Sequence, residues 1–158
     1  MSQSRQVRAP TAVWLAWVRE GARAAGRDAG QIDVVCRILA AVDEDEQTFL
    51  ALMRRALTAY LTVPQYNKFF QEIGFENPAR LAMEAWNAGD RKKAVASVPD
   101  EMVESIFVFG SAEKCRRRLS EYEKAGVTTT ALQLNSLAGA PEERRTRILR
   151  ALERLAGR

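Results

Sequence analysis

The stretch FVFGSAEKCRRRLSEYEKAGVTTTALQL, residues 107–134, constrains the fold more than any other part of the chain. A short apolar run ends at Gly110 and Ser111. A charged pattern with helical spacing follows, and Gly126 separates it from a second run rich in β-branched residues. This order predicts strand, helix, strand, with Cys115, Leu119 and Tyr122 on one helical face and Gly126 as the C-cap. Strands joined through a helix run parallel, and parallel strands are normally covered on both faces. The reading is therefore a βα unit from Ile106–Phe109 onward, followed by its next strand at Thr128–Leu134.

The rest of the chain extends the same pattern. Residues 32–42 are nearly continuous in apolar and β-branched character, which suits a strand buried on both faces. Asp43, Glu44, Asp45 and Glu46 then crowd the start of a helix, where the macrodipole favours negative charge. That helix runs to about Leu61 and aligns Phe49, Leu50, Met53, Ala56, Leu57 and Tyr60. Before the strand, residues 11–25 predict an amphipathic helix with Val13, Trp14, Trp17, Val18, Gly21 and Ala24 on one stripe. After Pro141 a last helix offers Ile148, Leu149, Leu152 and Leu155 to the core. Between Thr62 and Ser105 the texture changes, because Pro64, Gly74, Pro78, Gly89 and Pro99 cut the chain into short helical pieces. The reading is a single domain over 1–158, helix-rich α/β with about three parallel strands, and 62–105 as a helical insertion within it. Three strands leave open edges, so either the helices wrap the sheet or another chain supplies more strands.

Several function classes fall away on composition. The 158 residues contain no histidine, which removes Ser-His-Asp and Cys-His catalysis and histidine metal sites within the chain, so no metal is expected. The two cysteines, Cys36 and Cys115, fall inside a predicted strand and a predicted helix and read as reduced thiols in a cytoplasmic protein. The N-terminus has no apolar core of a signal peptide, and no apolar run approaches the ~18 residues of a membrane span, so no membrane partner is expected. The net charge of +4 sits at the ends: Arg5 and Arg8 at the start, and six Arg against three Glu from residue 141 onward. An Arg-rich terminal helix is compatible with nucleic acid, but a solvated face accounts for it, and no nucleic-acid partner is expected.

Three stretches carry a family resemblance. REGARAAGRDAGQIDVVCRILAAVDEDEQ, YLTVPQYNKFFQEIGF and VFGSAEKCRRRLSEYEKAGVTT together resemble the C-terminal half of luciferase-like flavin- or deazaflavin-dependent oxidoreductases, over about residues 11–155. The TVPQYNKFF insertion resembles the branch that uses coenzyme F420, with FMN as the alternative. The resemblance implies the later βα units of a (β/α)8 TIM barrel, a fold of roughly 250 residues. It implies an oxidoreductase or monooxygenase acting on a small organic substrate, in a truncated or split form. Such a form needs the missing N-terminal barrel half, or a homo-oligomeric partner, for hydride transfer. A non-catalytic association protein derived from the same fold is the other reading.

Within that frame three groups are candidates, and no catalytic residue is assigned. Gly110 and Ser111 lie at the C-terminal end of a predicted strand, the active-site face of a barrel, and open a helix whose free N–H groups favour phosphate. Ser111 is equally an ordinary N-cap, and Lys114 either assists an anion or extends into water. Arg37 shares a strand face with Val35 and Leu39, and a lumenal Arg can hold phosphate or carboxylate bidentately. An acid partner, or solvent beyond an edge strand, explains it as well. Tyr60, Tyr66, Phe69 and Phe70, with Phe75 and Trp86, offer flat apolar surface for a substrate pocket, although Tyr66, Phe69, Phe70 and Ile73 also have the spacing of helix packing.

Overall fold

The computed structural model describes residues 10–157, with side chains from residue 15 onward. Arg5, Arg8 and Arg158, and the side chains of Val13 and Trp14, lie outside the described residues. The chain forms α1 (Pro10–Ala24), β1 (Val35–Val42) and α2 (Glu46–Leu61). Helices α3 (Pro64–Phe70), α4 (Glu76–Asn87), α5 (Arg91–Ala96) and α6 (Asp100–Ile106) follow. The chain then passes through β2 (Val108–Gly110), α7 (Ala112–Ala125), β3 (Thr129–Leu134) and α8 (Pro141–Leu155). These elements fall into two compact units, one holding residues 11–49 and 106–157, the other residues 50–105.

The first unit holds a fully parallel three-stranded sheet in the order β2-β1-β3. The expected helix-rich α/β class with three parallel strands is what the chain adopts. Within it β3 pairs with β1 and not with β2. The register runs from Val35 opposite Thr129 to Ala40 opposite Leu134, whereas β2 meets only Ala40 to Val42. Strand length accounts for this. Helix α6 continues to Ile106 and leaves β2 three residues, so β1 is the partner long enough for all six residues of β3. Strand β1 also starts later than expected. The Asp28 carboxylate accepts the Gly30 N–H at 2.9 Å and caps a short 3-10 turn at Ala29–Gln31, which delays the extended chain to Val35.

The two faces of this sheet differ. On one, Ile38, Ala40, Val42 and Val108 pack with Ala112, Cys115 and Tyr122 of α7, with Val127, and with Ala151 of α8. On the other, Phe49 covers Phe109 at a ring separation of 5.0 Å and meets Phe107 edge-on at 6.2 Å, while Ala41 is buried. That cover stops there. Val35 is 59% exposed, and Arg37, Thr129, Ala131 and Gln133 are exposed beside a half-buried Leu39. The expectation that β1 is buried on both faces is thus corrected over its N-terminal half. The terminal helices also turn differently from their expected stripes. In α8 the inward positions are Ile148, Ala151 and Leu155, with Leu149 and Leu152 exposed, and in α1 Leu15 and Ala22 are buried while Trp17 is 58% exposed. The buried positions thus include two small residues, Ala22 and Ala151. Among the described residues no helix is long and apolar enough to cross a membrane.

The second unit is helical and organised around one amide. Pro64 opens α3 at a position where its missing N–H costs nothing. One turn in, the buried Asn67 donates through Nδ2 to the carbonyls of Leu61 at 2.8 Å and Ala79 at 2.7 Å, and its Oδ1 accepts from Gln71 at 2.6 Å. A π-type turn at Gln71–Phe75 then reverses the chain through Gly74, whose φ of 109° is left-handed. Leu57, Leu61, Phe70, Ile73, Met102 and Val103 are among the buried residues of this unit, and Arg54 pairs with Asp100. Replacing Asn67 with Ala removes the buried amide that bridges the Leu61 and Ala79 carbonyls and should cost about 2–3 kcal/mol. Urea unfolding followed by helical circular dichroism measures this, and an unchanged midpoint would show the amide to be dispensable.

Candidate functional site

The C-terminal ends of β1 and β2 meet the first turn of α7, and two left-handed residues shape the junction. Gly110 has φ 112°, and Asp43 has φ 55°, a conformation uncommon outside glycine and asparagine. The Asp43 N–H donates to the Gly110 carbonyl at 2.8 Å. One Asp43 carboxylate oxygen accepts the Ala112 N–H at 3.2 Å, and the other faces Arg154 Nε at 3.3 Å. Ser111 is the N-cap of α7, its hydroxyl accepting the Lys114 N–H at 3.2 Å. Lys114 reaches back to Glu46 at 2.6 Å and lies 4.9 Å from the centre of the Phe109 ring. The N–H groups of Ala112 and Lys114 are therefore satisfied by the chain's own carboxylate and hydroxyl.

The four consecutive acids do not act together as the sequence suggested. Only Asp45 and Glu46 serve α2. Asp45 accepts the Thr48 N–H at 2.8 Å, and bonding to Thr48 holds its carboxyl below the usual range. The Glu44 side chain is 3% exposed, accepts from Ser136 at 2.6 Å and pairs with Arg147 at 2.9 Å. The second arm of Arg147 grips Glu143 at 2.6 Å; that bond, then the charges of Glu44 and Glu143, raises its already high pKa. A cleft of about 450 Å³ runs beside this knot, lined by Val42, Asp43, Glu44, Thr146, Arg147 and Arg150 among others. Sequence reasoning missed the knot, because its partners lie 92 and 103 residues away from Glu44.

The sequence-derived candidates fall in separate places. Gly110 and Ser111 sit at the junction just described. Arg37 stands on the open face of the central strand, opposite Ala131 in register, and makes no hydrogen bond or ion pair among the described residues. It is not on an edge strand, and among the described residues no acid pairs with it. Tyr60 and Tyr66 form an edge-on pair at 5.1 Å and are each about half exposed. Phe69 and Phe70 form a second pair at 5.4 Å. Phe70 and Phe75 are buried, and Trp86 lies beneath the Arg91 guanidinium at 3.6 Å. Of the aromatic set, then, the two tyrosines present the most surface.

Cys115 sits in the first turn of α7, where a helix dipole ordinarily lowers a thiol's pKa. Burial overrides it. Desolvation, reinforced by the Asp43 charge and only partly opposed by Lys114, pushes the thiol up to about 11. Burial also raises Cys36. Both groups are therefore protonated near neutrality and are poor nucleophiles. Ellman's reagent at pH 8 should titrate both thiols only slowly in the native protein and at once in denaturant, since a thiol of pKa near 11 is only roughly 0.1% ionised there. A fast native reaction at Cys115 would contradict this placement. Gly110 gives a second expectation. A Cβ there would stand 2.7 Å from Glu46 Oε1 and 2.8 Å from Lys114 Cδ, on a left-handed backbone. Gly110→Ala should cost at least about 2 kcal/mol in a denaturation series.

Comparison with known proteins follows this geometry. The family model described as luciferase-like monooxygenase matches residues 4–129. Over 112 residues the chain is 27% identical to 5,10-methylenetetrahydromethanopterin reductase of Methanopyrus kandleri, covering 70% of this chain and 32% of that protein. The solved structure of coenzyme F420 dependent tetrahydromethanopterin reductase from Methanopyrus kandleri superposes with a TM-score of 0.62 at 24% identity. That match takes in 92% of this chain and 41% of the reductase chain. At this identity it establishes the fold, part of a TIM-barrel-type architecture. The chain spans between a third and two fifths of the length of these relatives. With four fifths of its residues inside the family match, the chain belongs to the luciferase-like monooxygenase family.

Proposed function

We propose that this chain forms part of a coenzyme F420-dependent oxidoreductase and helps to hold the deazaflavin against a small organic substrate. The observation that carries this reading is Arg37. In a member of the luciferase-like family, a guanidinium with no hydrogen bond or ion pair among the described residues stands on an exposed stretch of the parallel sheet. A parallel sheet face is ordinarily covered, and a guanidinium there suits a phosphate or carboxylate taken bidentately. The similarity to a coenzyme F420 dependent reductase favours that cofactor over FMN. When bound, the deazaflavin ring supplies the hydride chemistry.

The chain's own residues then act by position and charge. Arg37 would take the anionic part of the cofactor. Gly110 and Ser111 would come close to it through backbone and hydroxyl, but the Asp43 carboxylate already holds the Ala112 N–H, so a second anion meets a negative charge there. This divides the work, with Arg37 as the main anion contact and the Gly110–Ser111 turn as a wall. Residues 62–105 enter the reading as the helical insertion of a partial barrel, and Tyr60, Tyr66, Phe69 and Phe70 as the apolar surface offered to substrate. The remaining barrel strands come from an N-terminal barrel half, on the same or another polypeptide, or from an oligomeric partner. Two unpaired cysteines fit a reducing compartment such as the cytoplasm. One observation favours the second reading, a non-catalytic association protein: the outer edge of β3 is free of any partner strand among the described residues.

Titration of the full chain with F420, followed by its fluorescence, with and without a first barrel half, tests the proposal. Binding is expected, FMN should compete poorly, and Arg37→Gln should weaken binding by about tenfold or more, the worth of one charge-assisted bidentate contact. No binding of either cofactor in both arms would leave the association reading.

A further inference from the structure

Helix α8 carries apolar side chains on two faces, and the fold of the chain uses one of them. Ala151 and Leu155 pack into the core cluster of the sheet, and Ile148 is half-buried. On a second face Leu149 and Leu152 stand 51% and 47% exposed, and the exposed Ala156 continues the row. Residues 142, 145, 149, 152 and 156 follow one another in steps of three and four, the spacing of a seam between two helices. A single exposed leucine is ordinary. Two on one seam form a patch with the geometry to receive another helix.

The charges on this face say which helix. Arg145 lies four residues before Leu149 and Glu153 four residues after it. Both are exposed, and neither makes a hydrogen bond or ion pair among the described residues. Two copies of α8 laid antiparallel and crossing at Leu149 put leucine against leucine at the centre. Because the two charges are equally far from that crossing, Arg145 then meets Glu153 of the second copy at both ends. A parallel alignment would set Arg145 on Arg145 and Glu153 on Glu153, and like charges brought together across an interface are disfavoured. Antiparallel helices also place opposite ends of their macrodipoles side by side. The face is therefore complementary to itself, as a twofold interface requires. An unrelated partner would give no reason for opposite charges to flank the leucines at equal distances.

We infer that the Arg145–Leu149–Leu152–Glu153 face of α8 is a self-association surface that pairs antiparallel with the same face of a second copy. One helix on each side makes a small interface, so the dimer is a weak one that dilution separates. Helix α8 covers the sheet face opposite Arg37, so dimerisation and F420 binding are read out separately. Sedimentation equilibrium of the full chain at low salt, over a dilution series, tests the inference, and a monomer–dimer equilibrium is expected. Arg145→Glu alone and Glu153→Arg alone each replace two attractive contacts with two repulsive ones, and each should weaken the dimer by about tenfold or more. The double variant, Arg145→Glu with Glu153→Arg, exchanges the charges and should bring the dissociation constant back to within about threefold of the parent. Leu149→Lys places two cations at the crossing and should leave only monomer. All three positions are exposed, and circular dichroism checks that each variant keeps its helices. Should a reversal cost the fold, Arg145→Gln and Glu153→Gln carry the same expectation at about threefold. A monomer at every concentration, assembly beyond the dimer, single variants that pair as the parent does, or a double variant no tighter than the singles would each overturn the inference.

Discussion

The pairing of β1 with β3 is the constraint from which the rest of the first unit follows. Six consecutive parallel register positions fix which side chains face α7 and α8 and which face away. Because strand side chains alternate, Ile38, Ala40 and Val42 enter the helical layer only if Val35, Arg37 and Leu39 leave it. Burying the first set contributes on the order of 1.5–3 kcal/mol for each large apolar side chain. A one-residue slip would exchange the faces and put Arg37 among Cys115 and Tyr122. The exposure of Arg37 is thus a consequence of the core that holds the sheet together.

That same register delivers the C-terminal ends of β1 and β2 to one level, where Asp43 stitches them to α7. Three kinds of contact converge on this residue: its backbone N–H to Gly110, its carboxylate to the Ala112 N–H, and its charge to Arg154. Glu44, next in sequence, turns the opposite way and ties the loop after β3 to α8 through Ser136 and Arg147. Two adjacent acids therefore fix two different connections. The described side chains around them supply charge and rigidity, and neither thiol is poised to carry a proton.

Much of this was legible in the residues. The strand-helix-strand order, the Gly126 cap, the Pro141 start and the breaks in 62–105 are local signals, and the chain obeys them. The alternation that placed Arg37 opposite Ile38 was equally local. What the residues left open or misplaced was non-local. The neighbour of β3 depends on strand length, which in turn depended on α6 continuing to Ile106 in a stretch, DEMVESI, too short to show periodicity. The buried positions of α1 and α8 include the small residues Ala22 and Ala151, while Trp17, Leu149 and Leu152 are exposed. The Glu44–Arg147 knot had no sequence signature, since charge runs do not reveal partners a hundred residues away. The residues placed Gly110–Ser111 at the end of its strand and Arg37 on its strand face, but did not reveal the Asp43 carboxylate that already occupies the first turn of α7.

Position 43 carries two demands that few amino acids meet together. Its left-handed backbone is comfortable for glycine and asparagine and tolerable for aspartate, while β-branched or bulky residues resist it. The amide it receives and the arginine it faces ask for a short anion. Glycine satisfies the first demand only, and glutamate is one methylene too long for the second. Neutral drift at this site therefore has almost nowhere to go, and asparagine, which keeps the shape and gives up the charge, is its narrow exit.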